Sequence, residues 1–280
     1  MVSMMAIHLS YAPLKKFKVV FIISIVLCTS FLHAQHFILI DSTDISSPVS
    51  ASTDRLGLVY IADSKGNLRQ YEKTTLKQIF SPQQQTQISL IEAWNPLKVF
   101  VFTSDFQEYF FLDRFLTASP RFSTSDLSSY IGLCTMSNDN NLWLVDYNEF
   151  GLKKFNINFS EFTVNTPFGL LLDPDNYNIT FIREYQNLVF ISDSNSGILI
   201  FDNLGNYLRK IERHGIDYFN FYNDELYFIS HGKFHMINIY DGNYREVSLP
   251  RAEVLYAFVS DQVLTLITRE QLLIYKIEKK

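Results

Sequence analysis

The chain has 280 residues, 47% of them hydrophobic, and 24 basic against 29 acidic side chains give a net charge of −5. That length admits one large core or two small ones. An acidic chain without a basic cluster among interleaved aromatics lacks the electrostatic footprint of a phosphate-backbone binder, so nucleic acid is not an expected partner.

From Leu14 to Gln35 the sequence reads "LKKFKVVFIISIVLCTSFLHAQ": a basic start, an apolar run from Val19 to Leu32, and the small Ala34 before Gln35. This is the layout of a secretory signal peptide, with an apolar run shorter than the ~20 residues of a membrane-spanning helix. Residues 1–34 are therefore read as a signal, with Met1 to Pro13 as an over-extended start, and an uncleaved anchor as the competing reading. The expected location is the periplasm or cell surface, with no membrane span after cleavage. Removing residues 1–34, which carry three lysines and no acid, leaves a charge of −8. Cys28 leaves with the signal, so Cys134, inside the apolar run "IGLCTM", has no disulfide partner and is read as core.

The remainder, 35–280, repeats. "LVYIADSKGNLRQYE" at Leu58 to Glu72 returns without a gap as "LVFISDSNSGILIFD" at Leu188 to Asp202. Taking the end of each such strand as a marker gives Asp63, Ser104, Asp146, Asp193, Ser230 and Thr268, spaced by 41, 42, 47, 37 and 38 residues. Internal repeats of roughly forty residues are a signature of arrays and propellers. Apolar runs such as "GILIFD" suit strands buried on both faces. Turn stretches such as "DSKGN", "DSNSG" and "YDGNY" place Gly and Asn where positive φ is needed. Each unit thus reads as a four-stranded antiparallel meander; in the fourth the strands are "ITFIREY", "LVFISD", "GILIFD" and "YLRKIE".

The last unit offers three strands, "YAFVSD", "QVLTLIT" and "QLLIYKIE", while "HFILID" at His36 to Asp41 stands unattached behind the signal. If that strand completes the sixth sheet, the ring closes without a bare end. The expected fold is an all-β, six-bladed β-propeller closed by the N-terminal mature strand pairing with the C-terminal blade. Phe37 to Ile40 are expected to contribute at most roughly 6 to 12 kcal/mol there, and less because an outer strand is partly exposed.

The blades resemble those of NHL-like six-bladed propellers. "NPLKVFVFTSDFQEYFFLD" at Asn95 to Asp113, with "GILIFDNLGNYLRKI" at Gly197 to Ile211, is similar to a family of secreted bacterial propeller proteins. The resemblance implies the fold and an envelope location; it implies no catalytic residue.

The turns between second and third strands should gather Asp63, Asp105, Asp146, Asp193, His231 and Arg269 on one face. These six are the candidate ligand-binding rim, although Asp at a hairpin start also serves to bond its own turn. "DPDNYN" at Asp173 to Asn178 lacks the regular acidic spacing and closing Glu of a dedicated calcium loop. His231 and His235, four apart on a hairpin, are separated by about 13 Å if extended, too far for one zinc ion. No cofactor is expected, with calcium assembled from several blades left open. The leading functional expectation is a non-catalytic binding or scaffold propeller of the bacterial envelope, presenting one face to a protein or a glycan. The alternatives are a calcium-dependent, lactonase-like hydrolase using Asp146, Asn178 and Asp193, and a subunit of an envelope assembly.

Overall fold

A computed structural model of the chain describes residues 36–260 and 262–278. The expected signal peptide lies outside the described residues. Those described contain strands and turns, and none forms a helix long and apolar enough to cross a membrane.

Strand β1 (His36–Asp44) comes first. Blade one follows as β2 (Pro48–Thr53), β3 (Leu58–Asp63), β4 (Leu68–Glu72) and β5 (Thr75–Phe80). Blade two is β6 (Leu90–Glu92), β7 (Val99–Thr103), β8 (Glu108–Leu112) and β9 (Phe122–Ser123); blade three is β10 (Ile131–Met136), β11 (Leu142–Asp146), β12 (Gly151–Asn156) and β13 (Glu161–Pro167). Blade four comprises β14 (Ile179–Tyr185), β15 (Leu188–Asp193), β16 (Gly197–Asp202) and β17 (Tyr207–Ile211), and blade five β18 (Phe219–Tyr222), β19 (Glu225–Ser230), β20 (Lys233–Asn238) and β21 (Tyr244–Ser248). Blade six is β22 (Tyr256–Val259), β23 (Val263–Ile267) and β24 (Gln271–Glu278), with β1 as its outer strand. The chain is a six-bladed β-propeller, closed by pairing of β1 with β24.

The repeated fifteen-residue phrase is the central hairpin of blades one and four. Val59 faces Tyr71 across β3 and β4, and Val189 faces Phe201 at the same place across β15 and β16. Blades one, three and four share a register shift early in the first strand pair and another in the third. Such bulges increase local twist, which a blade needs in order to pack face to face on its neighbour. In these hairpins glycine is obligatory at two different places, inside the β3–β4 turn and at the first residue of β16. Gly66 has φ +83° and Gly197 φ +123°, and a Cβ there would stand 2.3 Å from the Thr86 carbonyl oxygen and 2.1 Å from that of Ile211, respectively.

First strands of neighbouring blades lie against one another, β2 to β6, β6 to β10, β10 to β14 and β18 to β22, so they surround the axis. Second and third strands are buried on both faces and form the cores between blades, while β5, β13, β17 and β21 are largely exposed. Cys134 lies fully buried in β10, and burial pushes its thiol well above the usual range, so it is core.

The closing strand is partly exposed, as an outer strand is expected to be. Only Phe37 of the four apolar side chains is half-buried, packed beside the blade five and six core; Ile38, Leu39 and Ile40 are exposed. An outer strand has one covered face at most. Main-chain pairing with β24, the Ile45 N–H to the Glu270 carbonyl at 2.8 Å and the Gln271 amide to Asp44 at 3.3 Å therefore hold the seam more than apolar burial does.

Candidate functional site

The two faces of the ring have different contents. Turns joining first to second strands surround a cavity of about 940 Å³ on the axis, to which all six blades contribute. That volume lies at the upper end of small-ligand pockets, ~300–1,000 Å³. A smaller pocket of about 150 Å³ lies beside Tyr218, Asp217 and Leu255, and Tyr227 borders both spaces.

Charged residues inside the innermost strands build the well. Glu92 of β6 and Arg183 of β14 meet across the axis, the Arg183 Nε donating to Glu92 Oε2 at 2.7 Å. The Arg183 Nη1 donates to Asn220 Oδ1 of β18 at 2.6 Å. Burial alone would lower the Arg183 pKa, but the carboxylate of Glu92 outweighs it and the guanidinium stays charged. Three blades are thus tied together at their centre. Behind this pair the rings of Phe181, Tyr218 and Tyr256 pack at 4.7 and 4.9 Å between centroids, and Tyr256 donates its hydroxyl to the Val49 carbonyl of blade one at 2.7 Å. Burial pushes the Tyr218 phenol up to about 12 and that of Tyr227 further still, so both stay protonated at neutral pH.

Every carboxylate of the described well lining is bonded to a protein donor. Asp54 accepts the N–H groups of Leu56 and Leu58 at 2.8 and 2.9 Å and the Tyr60 hydroxyl at 3.1 Å. Glu92 accepts the Trp94 N–H besides Arg183. Glu184 accepts the Trp143 indole at 2.6 Å, and Glu72 is paired with Lys77 at 2.9 Å. Amides and cations differ. The side chains of Asn138 and Asn140 in the β10–β11 turn and Asn223 in the β18–β19 turn reach the well unbonded to described residues. Asn140 and Asn223 have φ of 62° and 51°, conformations that Asn tolerates and that explain its choice there. At blades one and two the mouth carries Arg55, Lys73 and Lys98, with Trp94 63% exposed. Tyr185 and Phe221 line the other side as a stacked pair, 4.2 Å apart and 5° from parallel.

None of the six rim residues expected from sequence lines this well. They lie on the opposite face, at the turns between second and third strands, spread over six blades. Asp63 accepts the N–H groups of Lys65 and Asn67 and pairs with Arg69 at 2.9 Å. Burial would raise its pKa; the bonds from Asn67 and Arg69 prevail and hold it below the ordinary carboxylate range. Asp146 accepts the N–H groups of Asn148 and Glu149 and pairs with buried Lys153 at 2.8 Å. Asp193 accepts the Asn178 N–H at 2.6 Å and the Ser196 hydroxyl at 2.5 Å. His231 contacts the Ser230 hydroxyl at 2.8 Å, while Asp105 and Arg269 are exposed. His235 points elsewhere, bonded to the Tyr244 hydroxyl and the Ser230 carbonyl. Among the described residues no group of three or more His, Cys, Asp or Glu side chains is arranged to hold a metal ion.

Sequence reasoning missed the well. Its signal was present in Glu92, Arg183 and Glu184, which interrupt innermost strands where an apolar residue would be the simplest choice.

A β-propeller with an axial well open on one face is the class of protein defined here. No family model matches the chain, and no curated protein matches it in sequence. Solved structures do. Virginiamycin B lyase from Staphylococcus aureus, as a catalytically inactive histidine-to-alanine variant with quinupristin, is 10% identical with a TM-score of 0.60 over 87% of this chain and 100% of its own. The Pan2 WD40 domain of Neurospora crassa is 8% identical, TM-score 0.58, over 89% and 98% of the two chains, and BamB from Moraxella catarrhalis is 12% identical, TM-score 0.51, over 88% and 99%. At such identities the likeness is one of fold.

Proposed function

We propose that the protein is a non-catalytic binding propeller of the cell envelope that holds its ligand in the axial well. The observation that carries this reading is the state of the well's carboxylates: each is occupied by protein donors that use it as a structural anchor, whereas general acid–base work needs a carboxyl free to exchange a proton with substrate. The lyase it resembles in fold depends on a histidine that the inactive variant lacks; no histidine is among the well's lining residues. The expected calcium trio gives the hydrolase reading no support, since Asp146 and Asp193 are engaged with Lys153, Ser196 and turn N–H groups. Export rests on the signal-like segment at Leu14 to Gln35.

The chain has two tryptophans, Trp94 exposed at the mouth and Trp143 fully buried. Ligand entering the well should therefore change the emission of Trp94. The test is a titration of the purified protein with oligosaccharides and short peptides, read by fluorescence and by melting temperature, with recovered ligand weighed by mass spectrometry. A bound ligand returned unchanged, whose signal disappears in Trp94→Phe, is the expected result. Turnover of the ligand, or a melting shift that leaves Trp94 emission unmoved, overturns the reading.

A further inference from the structure

The well's mouth is divided chemically, and the division specifies a ligand. On the side of blades one and two stand Arg55, Lys73 and Lys98. None forms an ion pair among the described residues: Glu72 beside Lys73 is taken by Lys77, and the Lys98 ammonium sits over the Phe111 ring at 4.3 Å. This is a local cationic edge on an otherwise acidic chain. On the side of blades three to five stand the unbonded amides of Asn138, Asn140 and Asn223 beside the aromatic surfaces of Tyr185 and Phe221. Trp94 is exposed on the cationic side, in the β6–β7 turn that also carries Lys98.

Each part selects against some ligands. Three unpaired cations and four occupied carboxylates favour an anion over a cation, because an incoming cation would have to displace existing donors. Amides that both donate and accept suit hydroxyl groups, which do the same. Flat aromatic surfaces suit a ring with an apolar face and polar edges. A purely apolar ligand would strand the amides and the buried Arg183–Glu92 pair; a simple phosphate would leave the aromatic side and most of the 940 Å³ empty.

We infer that the well binds an acidic oligosaccharide, its carboxylate or sulfate groups at Arg55, Lys73 and Lys98 and its hydroxyls at Asn138, Asn140 and Asn223. This rests on the well being the binding site, as proposed above. Recognition then divides between a salt-sensitive edge and a salt-insensitive one.

The experiment compares three probes by Trp94 emission: oligogalacturonate of four to six sugars (about the span of such a cavity), a maltooligosaccharide of the same length, and an acidic peptide of glutamates. Oligogalacturonate is expected to bind about tenfold tighter than the neutral sugar and to weaken with added salt. The double substitution Arg55→Gln and Lys73→Gln should remove about that tenfold preference without lowering the melting temperature. Equal binding of the neutral sugar, tighter binding of the peptide, or a double variant that keeps the preference overturns the acidic-sugar assignment while leaving the well as the site. Oligogalacturonate binding that leaves Trp94 emission unchanged overturns the well itself.

Discussion

The two faces of the propeller use similar residues to different ends. On the face of the second-to-third strand turns, Asp63, Asp146 and Asp193 turn their oxygens back onto their own hairpins and onto Arg69, Lys153 and Ser196. On the well face Asp54 does the same for its turn. The difference lies in what is left over: the well face has unbonded amides, unpaired cations and an exposed tryptophan set around a concavity. Asp54, Asp63, Asp146 and Asp193 are therefore structural anchors, and in the proposed reading recognition falls to the residues the turns do not consume.

Both faces exist only in a closed ring, so the test with the largest expected effect removes the seam. A chain beginning at Ser46 lacks β1 and leaves the β24 edge bare; it should aggregate or melt far below a chain beginning at Gln35. Because Ile38 to Ile40 are exposed, substituting all three by Thr should cost much less than deleting the strand. Equal melting temperatures for the two chain lengths would break the account of closure.

Next comes the turn face. Asp146→Asn removes the charge facing Lys153, both side chains being almost inaccessible. Lys153 keeps Glu149, so the cost should be about 3 kcal/mol, the low end for a broken buried pair, or a fall on the order of 10 °C in melting temperature. Burial would raise the Asp146 pKa, but Lys153 and the Glu149 N–H outweigh it, so the folded value lies below the unfolded one near 3.9. Its stabilisation is complete above that unfolded value and is lost as pH falls through the folded one. The wild-type chain should accordingly lose stability on acidification below about pH 4 more steeply than Asp146→Asn, as melting against pH would read. A variant as stable as wild type would mean Asp146 is not an anchor.

How the faces separate also explains what could be read in advance. Apolar runs, turn glycines and the forty-residue spacing fixed blade number, strand order and the β1 seam, because these depend on period and count. Cys134 in its apolar run was equally legible. The well was not, since Glu92, Arg183 and Asn220 are 91 and 37 residues apart in sequence and meet only because the ring brings innermost strands to one axis. Asp63, Asp146 and Asp193 drew attention through their regular spacing, yet regular spacing is what turn chemistry itself produces.

A comparable loss of stability is expected at the well's centre. Glu92→Gln leaves Arg183 with Asn220 but without its counter-ion, at a cost of about 3 kcal/mol. The same change makes the well more positive by one charge. Affinity for oligogalacturonate should rise several-fold at low salt even as stability falls, opposite directions that a generally loosened fold would not give.

The smallest stability effects sharpen the comparison most, because they separate the faces by binding alone. Asn138 is exposed on the well side and unbonded to described residues; Asp105 is exposed on the turn side. Asn138→Ala and Asp105→Asn should each change stability by no more than about 0.5 kcal/mol. In a Trp94 titration Asn138→Ala should weaken oligogalacturonate several-fold, for it removes a donor and an acceptor without burying anything in their place, whereas Asp105→Asn should leave the curve unmoved. The reverse pattern, weakening by Asp105→Asn with Asn138→Ala silent, would place recognition on the turn face, at the expected rim of Asp63, Asp105, Asp146, Asp193, His231 and Arg269.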